Sequence, residues 1–460
     1  MNEKKSMISL SEKFGFLAFS TSSNIIFNFK SLYYLIFLTN VLKIPVLTAG
    51  TILTLGTIWD AINDPMIGLY TANHTFKNGE KVRPWAFWCA IPWAITIVLM
   101  FCDFNTPKTL TVILCLVIYF VFEALYTFLC MPYNSMGSLA SNLDEDRKAI
   151  NAFRSLGGCL GSGIGAVAIT PLVKLFGGLQ GEGAIIGKGD APALLKTAIL
   201  MGIICVIGCF WHYFTTKERV KQVSDDEEKL NIVQAYKMLF KCKSWIYNML
   251  YIIGYGIAQA FIMANVNYYA AYIIGSSAAA TPILAVYLVV AIIFSIITPK
   301  IDSILGRKKT MIAGICVTML CQIPFIINPY SMALIYLNAF GIGVGLTITF
   351  VMFNTNRNNI ADIVEWKNDG RRIDSMVAAG DNLASKLAEA LALQLMAIAL
   401  AKAGFDESLL INQPAATLKT ICALLGWVPF LICAGMLVVV CLMDIDKEYK
   451  ESKLAAAENS

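Results

Sequence analysis

Histidine is nearly absent from this chain of 460 residues: His74 and His212 are the only two. Catalysis or metal binding built on imidazole is therefore not expected. Charge is scarce as well, with Asp, Glu, Lys and Arg at 15% of the residues. That is too few for the surface of a soluble chain of this length. The thirteen cysteines form no C-x-x-C pair and mostly lie inside apolar runs, so they read as small packing residues. A P-loop, an H-E-x-x-H motif and a serine-nucleophile motif are all missing. Met1 to Lys13 is polar and the first apolar run is full length, so no cleavable secretory signal is expected.

What fills the chain instead is apolar: 57% of its residues are hydrophobic. Runs of about 20 apolar residues recur, each long enough to cross a hydrocarbon core of ~30 Å. Twelve spans are predicted, near 14–40, 49–71, 86–102, 109–139, 155–176, 193–214, 245–273, 280–298, 310–328, 331–353, 375–403 and 418–443. With the N-terminus inside, 27 of the 36 basic residues fall on the cytoplasmic side, 7 at or beyond the outer span ends and 2 (Lys30 and Lys386) deep within spans. That asymmetry satisfies the positive-inside rule and places both termini in the cytoplasm. The longest polar stretch, Thr215 to Ser244, carries Asp225-Asp226-Glu227-Glu228 among lysines and reads as a solvated linker. The expected organisation is an all-α membrane protein. It has a six-helix bundle over 1–214, a cytoplasmic loop over 215–244, a second bundle over 245–443 and a cytoplasmic tail over 444–460. Two six-span halves are the layout of many secondary transporters.

The stretch from Thr57 to Gly68 departs most from apolar monotony. At about 100° per residue, Asp60, Asn63 and Asp64 share one helix face, with Gly56 and Gly68 a turn to either side. A carboxylate at bilayer depth costs about 2.5–3.5 kcal/mol on insertion scales, so two on one face call for a cation or a proton. Pro65 weakens the backbone just past the pair and exposes carbonyls.

Three further polar stripes lie inside predicted spans: Ser20, Asn24, Asn28 and Ser31; Glu123, Thr127, Cys130 and Asn134; and Asn382, Lys386 and Glu389. Isolated stripes serve as hydrogen-bond glue between helices, worth about 0.6 kcal/mol per contact. Three stripes beside a diacid helix point to a wet central cavity. Lys30 sits off the Asn24–Asn28 face, and an acid on a neighbouring helix such as Glu123 is its expected partner. Lys386 and Glu389 are placed to neutralise each other. The glycines at 157, 158, 161, 163 and 165 have apolar flanks and no preceding strand, so they predict close helix packing rather than a nucleotide loop.

Trp59-Asp60-Ala-Ile-Asn63-Asp64-Pro65-Met-Ile-Gly68, followed by Gly79-x-x-x-Arg83-Pro84-Trp85, resembles the signature of the glycoside–pentoside–hexuronide:cation symporters. The resemblance continues through Tyr126-Thr127, Pro132-Tyr133-x-Ser135, Arg154, Asp362-x-x-Glu365-Trp366-Lys367, Arg372-x-Asp374-Ser375 and Lys386. Asp302-Ser-Ile-Leu-Gly306-Arg307-Lys308 is also similar to the D-x-x-G-R-K loop of the major facilitator superfamily, one residue longer. This resemblance implies a major facilitator fold and uptake of a sugar or glycoside coupled to Na⁺, with H⁺ and Li⁺ as alternatives. It implies a cation site at Asp60, Asn63, Asp64 and Thr127, and substrate contacts from Asn24 (or Ser22), Cys130, Asn134, Arg154 and Lys386. Asn24, Cys130 and Asn134 depart from the carboxylates and tryptophan of a galactoside site. The implied mechanism is alternating access by rocking of 1–214 against 245–443.

The expected partners are thus a small sugar or glycoside, a monovalent cation and the lipid bilayer of a bacterial inner membrane. The chain is expected to act as a monomer, with no nucleic acid and no cofactor. A symporter of an anionic sugar such as a hexuronide, served by Lys30 and Lys386, and an uncoupled facilitator are the alternatives. A membrane-embedded transferase would need metal-binding acids on a loop, and Asp144, Glu145 and Asp146 sit instead beside Arg147 and Lys148.

Overall fold

The computed structural model describes residues 8–141, 143–180, 185–219, 237–367, 374–406, 409 and 412–459. The acidic run of the central loop, Asp225 to Glu228, and Arg372 lie outside the described residues. The described residues are helical, with no strand. In chain order the first half holds α1 (Leu10–Ile36), α2 (Val46–Asn73), α3 (Arg83–Trp88), α4 (Ala90–Met100), α5 (Lys108–Ala140), α6 (Asp144–Val167), α7 (Ile169–Leu175) and α8 (Ala191–Thr215). The second half holds α9 (Lys243–Tyr269), α10 (Ala280–Leu305), α11 (Arg307–Ile327), α12 (Met332–Lys367), α13 (Asp374–Lys402), α14 (Ala415–Leu425), α15 (Trp427–Leu442) and α16 (Ile445–Asn459).

Each of the twelve predicted spans falls on one of these helices or on a broken pair. Among the described residues, nine helical stretches are long and apolar enough to cross a membrane, and α6–α7, bent by 47°, makes ten. The remaining two, α1 and α2, each carry polar residues along one face. The architecture is that of the major facilitator fold.

The chain divides into two compact units. The first comprises Met1–Ser224 together with Ala270–Thr281 and Ala397–Pro414. The second comprises the remainder. Residues 270–281 and 397–414, which the sequence reading assigns to the second bundle, cluster with the first unit. Residues 270–281 are tied to it by hydrogen bonds: the Tyr272 hydroxyl donates to Asn40 Oδ1 at 2.9 Å, and the Ile186 amide donates to Ser277 Oγ at 3.0 Å.

In the first unit α1 packs on α6 and α8, and α2 packs on α5. Ser9 caps α1 and Glu12 completes a capping box. Glu12 also receives Arg219 at 2.7 Å, which ties the start of α1 to the chain after α8. The glycines of α6 allow the close contact with α1. A methyl group on Gly161 would lie 2.2 Å from the Thr21 carbonyl oxygen, and one on Gly157 would lie 2.5 Å from that of Leu17. Only hydrogen fits there.

The α2–α5 contact is fixed in register by two aromatic side chains. The ring of Tyr119 occupies the notch left by Gly56, where a Cβ would meet it at 2.0 Å. The Trp59 indole donates to the Phe120 carbonyl at 3.1 Å. The second unit has its own apolar core around Tyr251, Ile348, Met352, Ile360, Val364 and Met436. At one end of it Arg307 donates to Asn356 and pairs with Asp446, while Glu448 of α16 accepts from Ser244 and Lys367.

Candidate cation and substrate site

Helical periodicity brings Asp60, Asn63 and Asp64 onto one face of the continuous helix α2, and the α2–α5 contact sets Thr127 against them. The Thr127 hydroxyl lies 2.8 Å from Asp64 Oδ1, 3.2 Å from Asn63 Oδ1 and 3.3 Å from Asp60 Oδ1. Its fourth neighbour is the Glu123 carbonyl oxygen at 3.2 Å. Asp60, Asn63 and Thr127 are buried and Asp64 is half-buried. A hydroxyl has one hydrogen, so it serves one of these four acceptors well at a time. The site is an inward-facing set of oxygens with two formal negative charges, which suits a hard monovalent cation. Pro65, inside α2, lacks an amide hydrogen and leaves the Ala61 carbonyl without its helical partner.

One turn before Thr127 stands Glu123, and its carboxylate meets Lys30 of α1 at 2.8 Å. Both side chains are buried, and Lys30 Nζ lies 4.7 Å from the centre of the Phe27 ring and 3.4 Å from the Tyr119 hydroxyl. This is the partner expected from sequence. The pair sets a positive and a negative side chain against each other one turn from Thr127.

The candidate substrate residues of the first unit form a second polar patch, where α1, α5 and α6 meet. Asn24 Nδ2 donates to the Ser20 carbonyl at 2.8 Å, and Asn28 Nδ2 donates to the Asn24 carbonyl and to Ser162 Oγ. Ser20 Oγ donates to the Arg154 carbonyl at 2.8 Å. The Arg154 guanidinium bonds the Asn134 side chain and lies 4.5 Å from the centre of the Tyr133 ring. Asn24 and Arg154 are half-buried and Asn134 is exposed. Cys130, half-buried on α5, stands between Thr127 and Asn134 in sequence. Above it Tyr126 stacks on Phe27 and Trp93. Lys386 belongs to the second unit, half-buried on α13, one turn before Glu389.

Sequence reasoning missed what holds the Gly79–Trp85 motif. The Glu218 carboxylate accepts from the backbone amides of Lys81, Val82 and Arg83 at 3.0, 2.8 and 2.8 Å. It caps α3 from the far end of α8. Arg83 in turn donates to the Thr216 carbonyl at 2.8 Å and pairs with Glu80. Glu218 lies in the polar stretch read as linker, and nothing in its spacing distinguishes it from the charges around it. His212 is no ligand: it is buried among Phe16, Phe19 and Tyr133.

Comparison with known proteins adds an independent line. The family described as MFS/sugar transport protein matches residues 15–447. The isoprimeverose transporter of Lactiplantibacillus pentosus is 27% identical over 96% of this chain and 90% of its own length. The inner membrane symporter YicJ of Escherichia coli is 28% identical over 93% and 90%. Among solved structures, a D-xylose-proton symporter superposes with a TM-score of 0.63 at 13% identity, covering 92% of this chain and 96% of that one. The nucleoside transporter NupG superposes at 0.60 and 12% identity, covering 93% and 98%. At such low identity these two structures speak to the fold alone.

Proposed function

The chain belongs to the glycoside–pentoside–hexuronide:cation symporter family of the major facilitator superfamily, and on that basis we propose that it imports a neutral sugar or glycoside driven by a monovalent cation, Na⁺ first. It is a multi-pass membrane transporter rather than an enzyme. The observation that carries the proposal is the Thr127 hydroxyl surrounded by Asp60, Asn63 and Asp64. Two carboxylates converging on one hydroxyl are costly to carry through a closed, water-poor state without a countercharge. A bound cation removes that cost.

Coupling to the second ligand has a physical route. Thr127 of the cation site and Asn134 of the polar patch lie on the same helix, two turns apart, with Cys130 between them. A cation bound at Thr127 also orders the donors and acceptors that α5 offers to a hydroxyl-rich solute. Such coupling amounts to about 1–3 kcal/mol and is reciprocal. The proposed setting is a bacterial inner membrane with both termini cytoplasmic, as the basic-residue asymmetry supports.

An anionic sugar is the second reading. Lys30 no longer serves it, because Glu123 already takes that charge at 2.8 Å. It rests on Arg154 and Lys386. The deciding experiment is uptake into vesicles across a panel of labelled sugars with Na⁺, with Li⁺, and with a proton gradient alone. Accumulation of one sugar that follows a cation gradient supports the symporter. Equilibration without accumulation under every gradient makes the chain a facilitator.

A further inference from the structure

Below the candidate cation site, on the same α2–α5 seam, lies a partly open cavity of about 120 Å³. Gly68 and Thr71 line it from α2, Met131, Pro132, Ser135 and Leu139 from α5, and Lys81 and Val82 from the loop that follows α2. The register is informative. Asp60, Asp64, Gly68 and Thr71 follow one another at steps of four, four and three, and Thr127, Met131 and Ser135 at steps of four, so cavity and site share the same two helix faces. From Asp64 to Thr71 is about 10 Å along the axis at 1.5 Å per residue. We propose that this cavity is the route by which the coupling cation leaves the Asp60/Asp64 site for the cytoplasm.

The chemistry of the walls fits transit rather than storage. The Thr71 hydroxyl donates to the Gly68 carbonyl at 3.1 Å, and the Ser135 hydroxyl donates to the Met131 carbonyl at 3.3 Å. The Thr71 hydroxyl spends its hydrogen on its own helix and turns its oxygen lone pairs to a passing cation or its waters. Pro132 frees the Phe128 carbonyl, one residue past Thr127. Among the described lining residues none is acidic, and the nearby Glu218 carboxylate is engaged by the backbone amides of Lys81, Val82 and Arg83. Lys81 adds a positive charge that raises the energy of a cation lingering in the cavity. The volume admits several waters, so an ion passing through keeps part of its hydration.

Gly68 is the place to test this, because a Cβ added there meets nothing within 4 Å. A side chain built from that position enters the cavity. The route rests on the symport reading, so the test separates the two. In proteoliposomes, Gly68→Leu is expected to bind labelled sugar with the parent's cation dependence, within about threefold at equilibrium. Sugar exchange with saturating Na⁺ on both sides, which requires no cation departure, stays within the same range. Cation-driven net uptake and ²²Na⁺ release fall at least tenfold. Ser135→Leu, from the opposite wall, should act in the same way and replaces Gly68→Leu if that variant is not recovered from the membrane. Net uptake at the parent rate in a plugged variant overturns the route and leaves the cation site standing. An equal fall in exchange and net uptake also overturns it, since the plug then obstructs the transport cycle as a whole. A parent protein whose binding and uptake ignore Na⁺, Li⁺ and pH overturns the symport reading and the route together.

Discussion

Lys30 of α1 and Glu123 of α5 face each other at 2.8 Å with both side chains buried, one turn from Thr127 of the candidate cation site. Removing one partner strands the other. Glu123→Gln is expected to destabilise the protein by about 3–5 kcal/mol, since it leaves a buried ammonium uncompensated. The double variant Lys30→Met/Glu123→Leu should recover most of that loss. Thermal unfolding in detergent reads both, and a double variant no more stable than Glu123→Gln would show that the pair is not acting as a unit.

Asp60→Asn and Asp64→Asn keep the side-chain size and delete the charge. Each should fold as the parent does, yet lose cation-driven accumulation. The cation should no longer raise sugar affinity, a loss of about 5–150-fold in the coupling factor. Thr127→Val should weaken cation binding by roughly tenfold, matching a hydrogen-bonding oxygen worth about 1–1.5 kcal/mol, while Thr127→Ser retains it. Calorimetric titration of sugar with and without Na⁺ checks all four. Parent-like coupling in both aspartate variants would place the cation elsewhere.

The contact between α1 and α6 is tight enough that a single methyl group should be felt. Gly161→Ala pushes a carbon to 2.2 Å from the Thr21 carbonyl and should cost about 1–3 kcal/mol as the helices part. Gly435→Ala is the control, because nothing lies within 4 Å of its added carbon. Comparing the two melting temperatures is sufficient, and equal values would mean that α6 shifts at no cost.

Lys386 separates the two substrate readings. If it acts within the protein, Lys386→Gln weakens neutral and acidic sugars alike. If it meets a substrate carboxylate, the same change weakens the acid sugar by at least tenfold more than its neutral analogue, since about 1.4 kcal/mol is a factor of ten. Binding of a hexuronide and of the matching hexoside decides.

Much of this arrangement was legible in the sequence where one helix alone determines it. Asp60, Asn63 and Asp64 share a face by periodicity, and the glycines of α6 announce close packing whatever they pack against. Thr127 needed the family resemblance, because nothing in its own stretch says which helix it will meet. Glu218 was illegible for the same reason: three amide donors at the start of α3 reach it only after α8 has returned to the same end of the unit. The segment 270–281 joins the first unit through contacts such as Tyr272 with Asn40, which no count along the chain anticipates.

The Tyr119 ring seated in the notch at Gly56, with Trp59 tied to the Phe120 carbonyl, works like a key in a shaft. A slip of one residue between α2 and α5, about 1.5 Å, would drive the ring into backbone and break the indole bond. The two helices that carry the candidate cation ligands are therefore held in one register. On the symport reading proposed above, the spacing of the oxygens is set by this joint, and ion selectivity with it. What changes from one face of the membrane to the other is which water reaches it.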